Sequence, residues 1–581
     1  MLSLSMQSSA WSVVLMTVAA ACFPRGTEAN AFLSKQTGVK MQPRQEILDV
    51  LEEELGNGHG RTDEARVLEL QVELNHTFAA LPKNRHGNLQ LASARYALHR
   101  LFVQRHAWQL QGIEPGGEGW SSTSFAEALG ETVPAKTQRL FKERFGEEGV
   151  SLHELAVLAA LLESMVHVEV DDRLQITLRA FGENETASLS EEMATAVLHA
   201  YMASYVVGVP LADLTPEGVQ KHVRSVAKVY PSWPDTQQFV NEVRDSLAAG
   251  ATRYNFGLMS DILATVGDKY GRWQSKECSA LKSTLVSMES RPGSGRVRLS
   301  DFYGSALRGE NWQFSESIEY LRQLGALDES SPGEPSVVIP NYIGAPSNCV
   351  ASSGYYYVCC IDDCEEIMDH LELQLGAPTA SVDRIAQVLS GLPSHWPVTN
   401  RTLSDALFRR LRDVAAHHEG AVPLHGRLFA QWMHHAYPRE CSFPHVSGTV
   451  DLLRPKEYKA KTGYQVTASK EEMQHFVTAA GSRARAAEEL EDGLCSNMWT
   501  MEEELVDPSA HGAHQDALRS RWIPEGTGVL RGVVLFLAVA SVAVTLAKTA
   551  LSASEAGPER DGMAKGLLAS ALDSRGVTYS V

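Results

Sequence analysis

The most specific pattern in this sequence reads Cys349-Val-Ala-Ser-Ser-Gly-Tyr-Tyr-Tyr-Val-Cys359-Cys360-Ile-Asp-Asp-Cys364. Four cysteines in so short a stretch indicate either disulfide bonds or a zinc site. The spacing lacks the paired Cys-x2-Cys units typical of zinc sites, so we expect two disulfides that brace a small helical module. Adjacent cysteines cannot easily bridge each other. Cys359 and Cys360 should therefore bond to different partners among Cys349, Cys364 and Cys441.

Disulfides form in oxidising compartments, and the start of the chain is consistent with export. An uncharged apolar run at residues 11–23 has the length of a signal-peptide core and is too short to span a bilayer. Ala21 and Ala29 could end cleavage sites, so we predict a signal peptide at residues 1–29. Because no Lys or Arg precedes the run, a buried or membrane-anchoring N-terminal helix is the alternative.

A second apolar run lies between Arg531 and Lys548. Its sixteen residues would cover about 24 Å as a helix, less than the roughly 30 Å of a hydrocarbon core. A helix over 529–551 is long enough if the two flanking cations reach the interfaces. We predict a single transmembrane helix there, with residues 30–527 lumenal or extracellular and a short tail at 552–581. A buried core helix is the alternative.

Three possible N-glycosylation acceptors lie in the part predicted to be outside the cytosol. They are Asn75, Asn184 and Asn400. Their position agrees with the predicted topology.

Helical periodicity dominates the part between the two apolar runs, and strand-like alternation is scarce. We predict a mainly α fold with a helical region at 30–328 and a Pro-rich connector at 329–348. A Cys/His-containing helical module at 349–469 follows, and then an acidic helix and stalk at 470–527. The stalk is predicted from the eight acidic residues, with no basic one, between residues 488 and 507.

The composition is that of a globular protein, because 44% of the 581 residues are hydrophobic. With 71 acidic and 52 basic side chains, the formal charge is −19. A balance this acidic argues against a broad nucleic-acid interface, which needs a basic surface. We therefore expect no nucleic-acid partner.

Four potential metal ligands occur close together after residue 424: His425, His435, Cys441 and His445. On a helix, His425 and His435 lie within about 80° of each other, and the following turn could bring Cys441 and His445 towards them. The alternative is an amphipathic helix, with Cys441 in a disulfide. Nothing in the sequence makes the four ligands converge, so we favour the helix and assign no zinc.

The segment Ser290-Arg-Pro-Gly-Ser-Gly-Arg-Val-Arg-Leu-Ser-Asp301 resembles a calcium-binding EF-hand loop in its length and in its central Gly295. It departs from that family where the ligands matter. Ser290 and Pro292 stand in place of carboxylates, and Asp301 replaces the usual bidentate glutamate. Ser294 and Asp301 remain as weak candidate ligands. The resemblance implies a helix–loop–helix element without useful calcium affinity.

Several longer motifs carry a second resemblance. They are Asn-Tyr-Ile-Gly-Ala-Pro-Ser-Asn-Cys349, Tyr-Val-Cys-Cys-Ile-Asp-Asp-Cys364, Leu-His-Gly-Arg-Leu-Phe-Ala-Gln-Trp-Met-His-His435, Pro-Arg-Glu-Cys441 and Gly-Arg-Val-Arg-Leu-Ser-Asp-Phe302. With these motifs the chain resembles a family of uncharacterised, signal-peptide-bearing membrane proteins of unicellular algae. The resemblance covers about half of the chain and implies no activity, because no function is assigned to that family.

Enzyme signatures are missing from the sequence: we find no phosphate-binding Gly-x4-Gly-Lys loop, no Gly-x-Ser-x-Gly elbow and no His-Glu-x2-His motif. We predict a membrane-anchored protein of the secretory pathway or cell surface with a non-catalytic binding or structural role. It should have a protein partner, and we assign it no catalytic residue and no cofactor. A metal-dependent enzyme built on the His425 cluster and a calcium-responsive module are the alternatives.

Overall fold

The structure is a computed structural model that describes residues 64–111, 113, 149–212, 214–309, 313–331, 333–350, 353, 355–390, 392, 403–483 and 498–507. In this part the protein is mainly helical with few, short strands, as predicted. The predicted signal peptide, acceptor Asn400, transmembrane helix and tail lie outside the described residues. Among the helices that are described, none combines the length and apolar character needed to cross a membrane.

The described residues form sixteen α-helices. In chain order they are α1 (Glu64–Ala80), α2 (Leu91–His106), α3 (Leu152–Ala180), α4 (Glu191–Val207), α5 (Pro216–Ser225), α6 (Trp233–Leu247), α7 (Phe256–Ser287), α8 (Leu299–Arg308), α9 (Ile318–Gln323), α10 (Ile339–Ile343), α11 (Asp363–Leu375), α12 (Val382–Ser390), α13 (Asp405–His417), α14 (Arg427–Ala436), α15 (Pro455–Thr462) and α16 (Lys470–Arg483). At several helix starts a side chain accepts a hydrogen bond from a backbone N–H of the first turn. Ser151, for example, forms a capping box with Glu154 at the start of α3, which satisfies backbone donors that the helix cannot.

The strands are two or three residues long and pair only antiparallel in the described residues. They are β1 (Trp108–Leu110), β2 (Arg296–Arg298), β3 (Leu327–Asp328), β4 (Ser336–Val338), β5 (Tyr356–Val358), β6 (Thr379–Ala380) and β7 (Val422–Pro423). Strand β1 pairs with β5 and β6 with β7, while β4 lies between β2 and β3. The register places Trp108 opposite Val358.

The loops between helices pair with one another through antiparallel bridges. Six of the bridged residues are buried and lie two positions before a helix begins; the pairs are Leu89–Val150, Leu189–Tyr254 and Val297–Val337. Similar bridges join Glu316 to Thr467 and Ala380 to Val422. The fold therefore repeats a helix–loop–helix unit that is paired through its loops. The EF-hand-like loop at 290–301 belongs to one such pair, formed by α7 and α8 with α9 and α10.

Three large hydrophobic cores occupy the described part of the chain. The first surrounds Trp108 and includes α1 to α4, α6 and the first half of α7. The second surrounds Phe302 and receives the end of α7, α8 to α10, α15 and α16. The third surrounds Trp432 and is made by α11 to α14. Because α7 contributes Tyr270 to the first core and Leu285 to the second, it ties these two cores together.

The prediction of a Pro-rich connector at 329–348 is wrong. Residues 336–338 form the central strand of a sheet, and Val337 and Ile339 have 0% exposed surface. The prolines flank this apolar stretch. Pro340 occupies the first turn of α10, where its missing N–H is tolerated. The apolar residues between the prolines gain most from burial, and this burial places the segment in the core.

The predicted boundary between the helical region and the Cys/His module is not a domain boundary. Strand β5 of the module pairs with β1 of the helical region, and Tyr356 belongs to the first core. The described residues of both regions belong to one compact unit. The composition of the sequence changes near residue 349 because cysteines are concentrated there, and not because a new core begins.

The prediction of a solvated acidic stalk is wrong where the chain is described. Helix α16 packs on α8, with the rings of Phe476 and Tyr303 5.8 Å apart. Residues 498–507, which we call the strap, lie against α14. Glu503 and Glu504 accept hydrogen bonds from neighbouring elements. A run of like charges indicates solvation only when no donors face it, and here the fold supplies them.

Candidate functional site

A cluster of charged side chains is centred on Arg100, in the middle of α2. The Arg100 side chain is only 2% exposed, and its guanidinium contacts the carboxylates of Glu365, Asp369 and Glu372. These acids follow one another at intervals of four and three residues, so they share one face of α11. The cluster therefore joins α2 of the first core to α11 of the third.

Glu372 is the most enclosed member of the cluster, with 0% exposure. Besides Arg100, the Thr77 hydroxyl donates to it at 2.9 Å and His425 Nε2 lies 2.7 Å from its carboxylate. His76 Nε2 lies 3.0 Å from Asp369 Oδ1. Four separate parts of the chain thus meet at two carboxylates: α1, α2, α11 and the residues just before α14.

The charges of the cluster compensate each other. Burial opposes ionisation of Glu372, but the Arg100 charge and the hydrogen bond with His425 lower the pKa of its carboxyl to about 2. Burial also opposes ionisation of Asp369, yet His76 and Arg100 lower its pKa. The hydrogen bond with Asp369 in turn raises the pKa of His76. At neutral pH the two carboxylates are therefore ionised and held by Arg100.

The same residues contain the one group of potential metal ligands among the described residues. Ligand atoms of His76, Asp369 and Glu372 all lie within 4.8 Å of one another. Arg100 already supplies the positive charge at this place, and both oxygens of Glu372 are engaged by donors. A divalent ion would have to displace the guanidinium and would meet its repulsion. The arrangement suits a structural junction better than a metal centre.

Replacing Glu372 with glutamine is expected to reduce stability more at neutral than at low pH. The folded-state pKa of about 2 lies below the ordinary value of 4.5, so the unfolded chain takes up a proton first as the pH falls. The stabilisation by the ionised carboxylate is complete above about pH 4.5 and disappears towards pH 2. The difference in free energy of unfolding between wild type and E372Q should shrink across this window in urea titrations.

Glu329→Gln is the matched control for this pH series. The hydrogen bond from Arg322 lowers the pKa of Glu329 as well, but the two side chains are 49% and 47% exposed. Solvent screening should keep the effect of this substitution well under about 1 kcal/mol at every pH. An E372Q difference that stays constant from pH 5 to pH 2 would contradict the role assigned to Glu372.

The structure does not bring the four potential ligands of the predicted metal site together. His425 belongs to the Arg100 cluster, and Cys441 forms a disulfide with Cys364. The His435 ring lies 5.6 Å from the ring of Trp499, and His445 Nε2 lies 2.8 Å from the carbonyl oxygen of Gly325. The preferred interpretation, an amphipathic helix with Cys441 in a disulfide, agrees with the geometry.

The neighbouring His434 is buried in this segment, although it was not among the predicted site residues. Its Nδ1 lies 2.8 Å from the carbonyl oxygen of Cys441, and its Nε2 lies 3.2 Å from the Arg296 guanidinium. Burial and the nearby Arg296 charge lower its pKa well below the ordinary value. A neutral His434 therefore links α14 to strand β2 by hydrogen bonds.

The five cysteines predicted to form disulfides all do so, but one partner was missed. Cys349 bonds to Cys359, and Cys364 bonds to Cys441. Cys360 bonds to Cys278 on α7, which lay outside the predicted set of partners. Adjacent Cys359 and Cys360 thus have different partners, as expected. The expected partner of Cys360 was wrong because helix periodicity does not reveal which distant helix faces it.

The EF-hand-like loop holds an internal carboxylate and does not assemble its candidate calcium ligands. Ser294 is buried and bonds to the N–H of Arg296, whereas Asp301 is exposed on α8. The loop instead encloses the carboxylate of Glu289, which accepts the N–H groups of Gly293 and Gly295 at 2.7 and 3.0 Å. Both oxygens also accept hydrogen bonds from the Arg439 guanidinium. The geometry gives no support to calcium binding here.

Gly295→Ala is expected to lower the free energy of unfolding by about 3 kcal/mol. Gly295 has a φ of 65°, and a Cβ atom there would lie 1.9 Å from the carbonyl oxygen of Pro438. Gly293→Ala is the control, because its φ is 78° but a Cβ atom would meet nothing within 4 Å. It should cost only the roughly 1 kcal/mol of left-handed backbone. Equal effects of the two substitutions in urea unfolding would contradict the close contact.

The two described glycosylation acceptors differ in their surroundings. Asn75 is exposed on α1, but Thr77 of its triplet is buried and bonded to Glu372. Asn184 is exposed in the turn after α3, where its Oδ1 accepts the N–H of Thr186 at 2.9 Å. The triplet that begins at Asn184 is the more accessible one. Glycosylation of either asparagine stays a prediction.

The geometry as a whole presents buried polar junctions, disulfides and closed loops. No family model, no curated protein and no solved structure matches this chain. The resemblance to algal membrane proteins therefore stays a prediction, and a function has to be argued from the residues themselves.

Proposed function

We propose that this chain is a membrane-anchored protein of the secretory pathway or cell surface whose described part is a non-catalytic scaffold. The observation that carries the proposal is the cysteine pairing. Every cysteine that the structure describes is in a disulfide, and two of these bonds join residues about 80 positions apart. Disulfides of this kind persist in oxidising compartments and are rare in the cytosol.

The buried position of the charged groups supports a binding or structural role. The cluster around Arg100 resembles a catalytic constellation in its residue types, but Arg100 and Glu372 are closed off from solvent and paired with each other. A catalytic acid or base has to reach a substrate within hydrogen-bond distance. These groups instead join α1, α2 and α11, which is what a scaffold requires.

The anchor and the orientation rest on the sequence. The apolar segment at 529–551 supports anchoring, and the predicted signal peptide at 1–29 supports placing residues 30–527 outside the cytosol. The disulfides are consistent with this orientation, because the cytosol keeps thiols reduced.

Membrane fractionation of cells that express the full chain with a C-terminal epitope tag tests this proposal. The protein should stay in the membrane pellet after alkaline carbonate extraction. Protease added outside sealed microsomes should remove the tag and leave residues 30–527 intact. Release into the soluble fraction, or digestion of the large fragment in sealed vesicles, would overturn the proposed anchoring and topology.

A mobility shift on glycosidase treatment provides an independent arm of the same experiment. It should become smaller in Asn184→Gln if the described part enters the lumen, because Asn400 is a further predicted acceptor. Asn75→Gln is the matched control, because the exposed Asn75 lies on a regular helix.

A further inference from the structure

The strap, residues 498–507, is bound along the start of α14 in the manner of a separate extended peptide. The N–H of Val506 donates to the carbonyl oxygen of His425 at 3.1 Å, and the N–H of Arg427 donates to that of Glu504 at 2.9 Å. Such main-chain bonds are those with which a sheet edge binds an added strand. They give affinity for any extended peptide of the correct register.

Two groups of the groove bind the carboxylate of Glu503. The N–H of Leu428 donates to it at 3.0 Å, and His418 Nε2 bonds to its other oxygen. Gly426, which is bridged to Leu505, offers no side chain to cap α14, so Glu503 supplies the anion at this helix start. A Cβ atom on Gly426 would lie 3.1 Å from both carboxylate oxygens, so the absence of a side chain makes room for them.

Two further residues of the groove form hydrogen bonds with the strap, at Glu504 and at Thr500. Ser447 donates its N–H and its hydroxyl to the Glu504 carboxylate at 3.1 and 3.0 Å. Gln431, which has 0% exposure, exchanges two hydrogen bonds with the backbone of Thr500. The groove therefore recognises an extended backbone and two consecutive carboxylates.

We propose that this groove is a recognition site for an extended acidic peptide of a partner protein, with the strap as its resident occupant. The groove is defined by His418, Gly426, Arg427, Leu428, Gln431 and Ser447. None of these hydrogen bonds depends on the strap belonging to the same chain, because each is made to a backbone group or to a glutamate side chain. A partner segment with two adjacent glutamates followed by an apolar residue supplies the same groups and displaces the strap.

The test uses the full-length chain in detergent and a fluorescein-labelled peptide with the sequence of residues 498–507. In the variant E503Q/E504Q the resident strap loses both carboxylate contacts while the groove is unchanged. The labelled peptide should bind this variant at least tenfold more tightly than it binds wild type, because the competing occupant is weakened. A difference below twofold in fluorescence polarisation would overturn the proposal.

Matched controls separate recognition from non-specific binding. A peptide with glutamine at both glutamate positions should bind the weakened variant at least tenfold less tightly. Adding Ser447→Ala, at an exposed position, should weaken binding of the natural peptide severalfold and leave binding of a peptide with Glu504→Gln unchanged. Equal losses for the two peptides would show that Ser447 does not read this carboxylate and would contradict the groove.

Hydrogen exchange on wild type keeps the proposal testable if E503Q/E504Q does not fold. Excess unlabelled peptide should speed exchange of the strap amide Val506 while Arg427 stays protected, because the incoming peptide replaces its acceptor. Unchanged exchange at Val506 would overturn displacement. Sedimentation identifies the source of the peptide: a wild-type dimer that E503Q/E504Q abolishes would assign the groove to a second copy and contradict a partner protein.

Discussion

Replacing Arg100 with methionine is expected to lower the free energy of unfolding by about 3–5 kcal/mol. The substitution leaves Glu372, which has 0% exposure, without the guanidinium that keeps its carboxylate ionised. Glu365 and Asp369 lose the same partner. The three carboxylates would then lack the guanidinium charge, and burial makes ionisation of Glu372 costly. Urea unfolding followed by circular dichroism at pH 7 measures the change.

Arg322→Met is the control for this substitution, because Arg322 also pairs with a glutamate but at the surface. It should cost at most about 1 kcal/mol. The double variant R100M/E372M should recover part of the loss, since apolar replacement of a whole buried pair is often close to neutral. Similar losses for Arg100→Met and Arg322→Met would contradict a buried, stabilising cluster.

Removing the Cys278–Cys360 disulfide by serine substitution at both positions is expected to cost about 4.5 kcal/mol. The bond closes a loop of 82 residues, and restricting a loop of that length in the unfolded chain stabilises the fold by about this amount. It also fastens α7, which contributes to two cores, to the segment just before α11. Urea unfolding under non-reducing conditions measures the loss.

The Cys349–Cys359 disulfide provides the comparison, because it closes a loop of only 10 residues. Its removal by the same double serine substitution should cost about 2.7 kcal/mol on the same reasoning. A larger loss from the short loop than from the long one would contradict the proposed bracing of α7 by Cys360.

Local patterns predicted the helical character of the fold, because apolar spacing and capping residues act within a few positions of the chain. They did not predict the parts of the fold that depend on contacts between distant segments. The prolines at 335 and 340 indicated a connector, yet the strand Ser336–Val338 lies between them, and Val337 and Ile339 are both buried. The pairing of one loop with another, such as Leu89 with Val150, depends on residues about 60 positions apart and leaves little mark on either segment.

The candidate site was predicted only in fragments. The sequence predicts His425 only as a metal ligand and gives Arg100 no role. A cation on the same helix face as the buried Ala97 and Val103 was a usable signal, since a buried charge has to be paired. Its partners lie more than 260 positions later on α11, and no local rule connects them. The prediction for the strap was wrong for the same reason, because the groups that donate hydrogen bonds to its carboxylates belong to α14 and to Ser447.

Mass spectrometry of the non-reduced, protease-digested protein from cells tests most directly whether this is a disulfide-braced protein of an oxidising compartment. The account predicts linked peptides that join Cys278 to Cys360, Cys349 to Cys359 and Cys364 to Cys441. Free thiols at these six positions in protein alkylated at the moment of lysis would contradict both the bracing and the compartment.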